Sequence, residues 1–329
     1  MKVLITGGAG FIGSTIASCC ADNGITPVIL DDYSTGLRAF AERFDHYEGD
    51  IADVALLHRI LDEHPDIEAV VHCAAKIVVP ESVSRPLYYY ENNVGKATTC
   101  VRTLSERGVK RVLLSSTAAM YVPGEDLMVT EQSTADPSSP YAASKWMLER
   151  VLADAASAGL IRAISLRYFN PIGADPQLRT GLQNPAPSHA LGKMISAYQA
   201  DEPFTVTGVD WPTRDGSGLR DYVHVWDLAR AHVAALKAEA SALADYEVIN
   251  LGTGQGTTVF ELADAVGEAT GKPLEVRTAP PRDGDVVGCA TRTEKAEQLL
   301  GWRAEYTVAD GVRHSLAWAE KLPEVLEQR

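Results

Sequence analysis

The sequence predicts an α/β protein, with a doubly wound parallel sheet in its first half and a smaller α/β domain in its second. Three observations lead there. Short apolar runs alternate with helical stretches from the first residues onward; a glycine-rich turn joins the first run to the first helix; and after Asn170 the composition shifts toward proline, glycine and polar residues. Strands that alternate with helices pair in parallel and carry helices on both faces of the sheet.

Taken in order, Lys2–Thr6 is a short apolar run, and after the glycines a helix is expected over 14–23. Strands are expected at 26–30, 69–72, 111–115 and 164–168, with helices over 54–64, 93–107 and 141–158. The stretches 171–187, 203–218 and 278–288 are turn-rich and read as loops, and the Ala-rich stretch 226–244 reads as a scaffold helix. The expected division is residues 1–170 and 171–329, with the chain returning from the second unit to the first. Ligands of such sheets bind beyond the carboxyl ends of the strands, and most of the polar residues of interest follow a strand.

The turn after the first strand is Thr6-Gly-Gly-Ala-Gly-Phe-Ile-Gly13. Glycines at 7, 10 and 13 allow a tight turn and close backbone approach to a pyrophosphate, with Phe11 and Ile12 in the same cofactor-binding turn, and the N-terminus of the helix that follows stabilises it. Asp31 ends the second strand about twenty residues on, where a carboxylate accepts bonds from ribose hydroxyls and repels a 2′-phosphate. The unit therefore reads as a Rossmann-type domain that prefers NAD to NADP. Asp50 and Ile51 follow the third strand, where an aspartate can bond the adenine amino group.

Tyr141 and Lys145 are four apart on a helix that begins after Pro140, so they share one face. An ammonium about 4 Å from a phenol, at an effective dielectric of about 20, favours phenolate by roughly 4 kcal/mol. That is enough to bring a pKa of about 10 to near 7, where the pair can move a proton to or from a substrate hydroxyl.

Composition excludes other classes. The formal charge of −14 argues against nucleic-acid binding. The five cysteines, Cys19, Cys20, Cys73, Cys100 and Cys289, show no C-x-x-C spacing and read as free thiols of a reducing cytoplasm. The eight histidines form no ligand set, so no metal is expected, and His224 and His232 are expected to cap, pack or face solvent. Met1-Lys2 runs into a strand rather than a signal peptide, and no apolar run is long enough to cross a membrane.

Joined together, these parts resemble the extended short-chain dehydrogenase/reductase family and, within it, the UDP-glucose (UDP-galactose) 4-epimerases. The resemblance runs nearly the full length. It rests on Thr6–Gly13, Asp31-Asp32, Gly49-Asp50-Ile51, Glu81-Ser82, Tyr89–Val94, Ser115–Ala118, Ser139–Lys145, Arg167-Tyr-Phe-Asn-Pro171, Trp211–Gly218, Arg220-Asp-Tyr-Val-His-Val225 and Pro281–Asp285. It implies that Tyr141 is base and acid at the sugar 4-hydroxyl. Lys145 lowers its pKa and bonds the nicotinamide ribose, and Thr117 relays the proton. NAD, tightly retained, oxidises C4 and then returns hydride to the other face of the 4-keto sugar. It also implies that Asp32, Ile51, Ala74, Ala75 and Lys76, together with Asn92, Ser115 and Tyr168, line the NAD site. Asn170, Arg220 and Arg282 would hold the diphosphate, Asp285 the uridine ribose, and His189, Thr207 and Cys289 the rest of the sugar nucleotide. A homodimer built on the helices over 93–107 and 141–158 is a further implication.

Several positions depart from that pattern. Thr207 stands where an aromatic residue commonly flanks the uracil, and Ser188-His-Ala-Leu-Gly192 replaces a segment that usually carries proline. Val122-Pro123 follows Tyr121 where glycine is usual, and Cys73 and Lys76 lie in the nicotinamide-side loop near which the family's lysine falls. Cys289 replaces a tyrosine found in some members and leaves room for an N-acetyl group at C2. The alternatives are a UDP-glucuronate 4-epimerase, for which Arg179 and Arg214 are available cations, and a net nucleotide-sugar dehydrogenase or reductase. A 4,6-dehydratase would need acids after Thr117, where the chain has Ala118-Ala119.

Overall fold

A computed structural model describes residues 1–282 and 285–327. Seven strands form one parallel sheet: β1 (Lys2–Thr6), β2 (Thr26–Asp31), β3 (Asp45–Glu48), β4 (Ile67–His72), β5 (Arg111–Thr117), β6 (Arg162–Tyr168) and β7 (Tyr246–Leu251). Their order is β7-β6-β5-β4-β1-β2-β3. The longer helices are α1 (Phe11–Asp22), α2 (Val54–Glu63), α3 (Ala97–Glu106), α4 (Pro140–Ser157), α5 (Ala190–Ala200), α6 (Val225–Lys237), α7 (Val259–Thr270) and α8 (Val308–Glu327).

The strands are apolar on both faces because both faces are covered. Val3, Ile5, Ile29, Val71, Leu113 and Leu166 pack with Ile16, Leu228 and Leu236 of α1 and α6. The alternate residues Leu4, Val28, Val70, Val112 and Leu114 pack with Leu57, Leu104, Leu148 and Leu152 of α2, α3 and α4. Strand order reverses beside β1, so the crevice beyond the carboxyl ends of β1 and β4 is the expected ligand site.

After β6 the chain forms two-stranded pairings. Asn170–Ile172 pairs with Tyr222–His224, Phe204–Thr207 with Val276–Ala279, and Leu219–Arg220 with Thr257–Thr258. Helices α5, α7 and α8 share a core there, with Leu191, Met194, Leu262, Val266 and Val312 buried. Met128–Val129 pairs with Ala290–Thr291 and stitches the early and late parts of the chain together.

Several details differ from the sequence expectation: the first helix starts at Phe11 rather than at 14, and the stretch 203–218 read as a loop opens with the strand Phe204–Thr207. The strand at Tyr246–Leu251 was hidden between loop-like residues and completes the main sheet beside β6. The helix expected over 226–244 stops at Lys237, because Ala238 is extended (ψ 136°) and Arg111 donates 2.7 Å hydrogen bonds to the carbonyls of Ala235 and Ala238. Those bonds satisfy acceptors that a helix end leaves open. The helix expected over 93–107 starts as a π-helical segment, Glu91–Lys96, before α3. The five cysteines are free thiols, as expected. His224 caps α6 by accepting from Trp226 N at 3.0 Å, and His232 is buried.

Helix α7 begins with a capping box, Thr258 accepting from Glu261 N at 3.2 Å and Glu261 from Thr258 N at 2.9 Å. Thr258→Ala is expected to lower stability by about 1 kcal/mol, measured by urea unfolding.

Candidate active site

The glycines of the first turn are required by space. A Cβ on Gly7, whose φ is +69°, would lie 2.6 Å from Ala74 N, and one on Gly13 would lie 2.3 Å from Gly7 O. Gly10 is the N-cap of α1 and offers no side chain to its N–H groups, so the helix start is open to an anion. Asp31 is buried at the end of β2; its carboxylate accepts from Ala9 N at 2.9 Å and Tyr33 N at 2.8 Å. Burial pushes its pKa up while those N–H groups pull it back. Lys76 spans the crevice, donating from Nζ to Ser34 Oγ at 2.8 Å. Asp50 is engaged by Lys96 and by Ala52 N, and the Asp32 carboxylate accepts from Ser34. At the far end the buried Tyr168 Oη has no partner meeting hydrogen-bond geometry, although the Ser115 hydroxyl lies beside it. An open helix start, glycines pressed against a neighbouring strand end and an orphaned buried phenol fit a bound dinucleotide.

Thr117 ends β5, and Tyr141 and Lys145 project from the first turns of α4 toward it. Ser139 caps that helix, accepting from Ala142 N at 3.2 Å, with Pro140 at its start. Lys145 is only 3% exposed and donates to the Ser115 carbonyl at 2.7 Å. Burial raises the Tyr141 pKa, and the Thr117 hydroxyl beside it pulls it down. The same burial lowers the Lys145 pKa to about 8 against the pull of Cys73 and Glu149. This corrects the expectation of a phenol near pH 7: the ammonium is committed to a backbone carbonyl, and burial holds the phenol pKa above its ordinary value.

Asn93, which sequence reasoning passed over in favour of Asn92, anchors the loop after β4. Its amide accepts from Lys76 N at 2.8 Å and donates to Lys76 O at 2.9 Å and Ser144 Oγ at 3.0 Å. Asn92 donates to Tyr88 O at 2.8 Å. The doubled asparagine was visible, but only the fold distinguishes the two. Gln183 is a second omission: from the loop after Ile172 it reaches back to Thr35 O at 3.2 Å and covers Gly10.

The substrate candidates fall on the other wall. Asn170 directs its backbone N–H to Asp221 O at 2.9 Å, and its side-chain amide has no protein partner among the described residues. Arg220 rests on the carbonyls of Leu219 and Val287 at 2.7 and 2.8 Å. Asp285 accepts from Thr207 at 3.2 Å and from Arg282, which is mostly exposed. Burial opposes ionisation of Asp285, yet the Arg282 bonds keep its pKa below the ordinary value. His189 caps α5, accepting from Gly192 N at 3.2 Å, and burial lowers its pKa. Cys289 packs with Ala118, Tyr121 and Phe169 just behind Thr117, and burial raises its thiol to about 11. Two residues of the Pro281–Asp285 run, 283 and 284, lie outside the described residues.

Residues 3–252 match the NAD dependent epimerase/dehydratase family. The chain belongs to that family. Among curated relatives of the epimerase/dehydratase family, a UDP-glucose 4-epimerase of Azospirillum brasilense is 38% identical over 99% of this chain and 94% of its own. One from Rhizobium leguminosarum bv. trifolii is 38% identical over 97% of each. A solved UDP-glucose 4-epimerase from Bifidobacterium longum, in complex with NAD+ and UDP, superposes with a TM-score of 0.90 at 33% identity. It covers 99% of this chain and 100% of that one. A UDP-Glc/GlcNAc 4-epimerase from Campylobacter jejuni superposes with a TM-score of 0.81 at 31% identity, covering 97% and 99%.

Gly7→Ala combines an unfavourable backbone conformation, worth about 1–3 kcal/mol, with overlap against Ala74. It is expected to purify without bound NAD, read by the absorbance of cofactor released on denaturation. Because the charged form of Lys145 is lost as pH rises through about 8, turnover is expected to fall there rather than near the ordinary lysine pKa, checked by a pH profile of kcat.

Proposed function

We propose that the protein is an NAD-dependent 4-epimerase of UDP-hexoses, interconverting UDP-glucose and UDP-galactose through a transient 4-keto sugar and accepting the N-acetyl sugars as well. One observation carries the reading: Thr117, Tyr141 and Lys145 converge at the end of β5, beside the dinucleotide cradle, with alanines at 118 and 119. A base without neighbouring acids suits reversible oxidation at one carbon and not elimination.

When bound, NAD supplies the acceptor and donor of hydride at C4. Tyr141 removes the 4-hydroxyl proton, with Thr117 bridging phenol and sugar oxygen, and returns it after the ketone has turned over. Lys145 supplies the positive charge that stabilises phenolate and a donor for the ribose. The dinucleotide would be held by Gly7, Gly10, Phe11, Ile12 and Gly13 at its pyrophosphate, by Asp31 and Asp32 at the adenosine ribose and by Asp50 and Ile51 at the adenine, and Ala74, Ala75, Lys76, Asn92, Ser115 and Tyr168 would line the rest of its site. On the opposite wall Asn170, Arg220 and Arg282 hold the diphosphate, and guanidinium suits phosphate oxygens by its fork geometry. Asp285, Thr207 and His189 surround the uridine, and Cys289 stands at the sugar. Residues 1–170 serve the cofactor and 171–329 the substrate, with α6 and β7 returning to the first unit.

The UDP-glucuronate reading calls for an extra cation or hydroxyl near C5 of the sugar. Of its two candidate cations, Arg179 is held by Asp22 at 2.8 Å and by Asp175, and Arg214 is held by Glu261. The chain acts as a cytoplasmic homodimer in this reading. Val83, Leu87, Trp146 and Met147 expose apolar side chains on adjoining helices, Leu87 to 80%, an area that a second copy would cover. Leu87→Glu with Trp146→Glu is expected to yield monomers in sedimentation.

The test is separate incubation with UDP-glucose, UDP-N-acetylglucosamine and UDP-glucuronate and resolution of the products. The 4-epimers of the first two are expected, and no 4-epimer from any of them would end the proposal. Tyr141→Phe is expected to reduce kcat by about 10²–10⁴-fold. Cys289→Tyr is expected to abolish turnover of the N-acetyl sugar selectively; an unchanged preference would remove Cys289 as the gate.

A further inference from the structure

Behind the catalytic residues lies a buried polar row that the reaction as described does not use. Tyr141, Lys145 and Glu149 follow one another at four-residue steps on the face of α4 that packs on β5. Each engages the strand end: Tyr141 the Thr117 hydroxyl, Lys145 the Ser115 carbonyl, and Glu149 the Ser116 hydroxyl. The Glu149 carboxylate is also gripped by the Arg167 guanidinium, with Nε 2.9 and 3.2 Å from its two oxygens. Ser116, Arg167 and Asn250 are register partners on adjacent strands β5, β6 and β7. Arg167 donates to Tyr121 Oη at 2.7 Å, Tyr121 donates to Asn250 Oδ1 at 2.7 Å, and Asn250 donates to Thr291 Oγ1 at 3.0 Å. Thr291 N meets Asp221 at 3.3 Å, next to Arg220. The row thus runs from the catalytic lysine to the wall that carries Arg220 and Cys289.

A buried ion pair is weak evidence of stabilisation, because apolar residues of similar shape commonly serve as well. Its placement here points to another purpose. Lys145 is buried without a carboxylate bonded to it, and Glu149 is the carboxylate whose charge acts on it from one helical turn away. The other groups facing that ammonium are Tyr141 on its own helix, Cys73 and His72 from the end of β4, and Tyr168 beyond Ser115. His72 is held neutral by burial, and Cys73 is a thiol whose pKa burial raises to about 11, so neither supplies a charge at neutral pH.

We propose that Glu149 is a positioning residue for the epimerisation: fixed by Arg167 and Ser116, its carboxylate holds Ser115–Thr117, and with them the carbonyl that receives the Lys145 ammonium, in register with Tyr141. The proposal rests on the 4-epimerase reading of Tyr141 and Lys145, and the experiment separates the two. NAD-loaded wild type, Glu149→Gln, Glu149→Asp and the paired Glu149→Gln/Arg167→Met are compared for kcat, KM, bound NAD and the pH profile of kcat with UDP-galactose. The paired variant leaves no unpaired buried guanidinium, and it decides the matter if Glu149→Gln does not fold. Loss of the carboxylate is expected to lower kcat about tenfold or more, with KM and bound NAD little changed. The alkaline limb is expected to move toward lower pH by about one unit, since a nearby anion favours the ammonium. Glu149→Asp keeps the charge and is expected to restore the limb. An inactive wild type would refute the 4-epimerase reading itself. An active wild type, with folded variants that keep its kcat and its alkaline limb, would overturn the role of Glu149 alone.

Discussion

The placement of one buried cation governs the rest of this structure. Lys145 carries its ammonium into the interior between α4 and β5, where an uncompensated charge is costly. Its compensation comes from the Ser115 carbonyl and, a turn further on, from Glu149. For that carbonyl to be available, β5 must end where it does, with Ser115–Thr117 directed at the helix. For the helix to lie there, Ser144 must meet Asn93 and Leu148 and Leu152 must fill the sheet face. The Tyr141–Lys145 pair, which looks local in sequence, is therefore set by contacts from β5, β6 and the loop after β4.

The second constraint is the close approach of chain to chain at the glycine turn. Gly7 against Ala74 and Gly13 against Gly7 bring β1, α1 and the chain after β4 closer than any side chain would allow. Segments from outside that unit close over it. Lys76 bonds Ser34 across the crevice and Gln183 bonds Thr35 from the later half, while Arg179 ties the same loop to Asp22 on α1. A dinucleotide bound there would be bordered by residues from both halves of the chain, which suits a reaction with no net oxidation.

Much of this was legible in the sequence where a residue type answers to a local need. The glycine turn, Asp31, the Pro140 helix start and the Tyr141–Lys145 spacing each follow from backbone geometry or helix periodicity, and each lies where expected. What escaped depends on partners distant in sequence. Nothing near Arg167 marks it as the partner of Glu149 and Tyr121, and although Tyr246, Val248 and Ile249 before Gly252 suit a strand, nothing local places that strand at the edge of the main sheet. Arg179 and Arg214 looked like free cations because Asp22 and Glu261 lie far along the chain. The estimate for the Tyr141 phenol failed for the same reason: it counted the neighbouring charge and left out the burial that the fold imposes on both groups.

The central claim is that hydride leaves C4 and returns to C4 of the same sugar within one closed site. It is tested most directly with UDP-glucose carrying deuterium at C4, turned over in ordinary water and followed by NMR and mass spectrometry. The account predicts UDP-galactose that retains the deuterium at C4. Product in which that deuterium has been replaced by solvent hydrogen would contradict it.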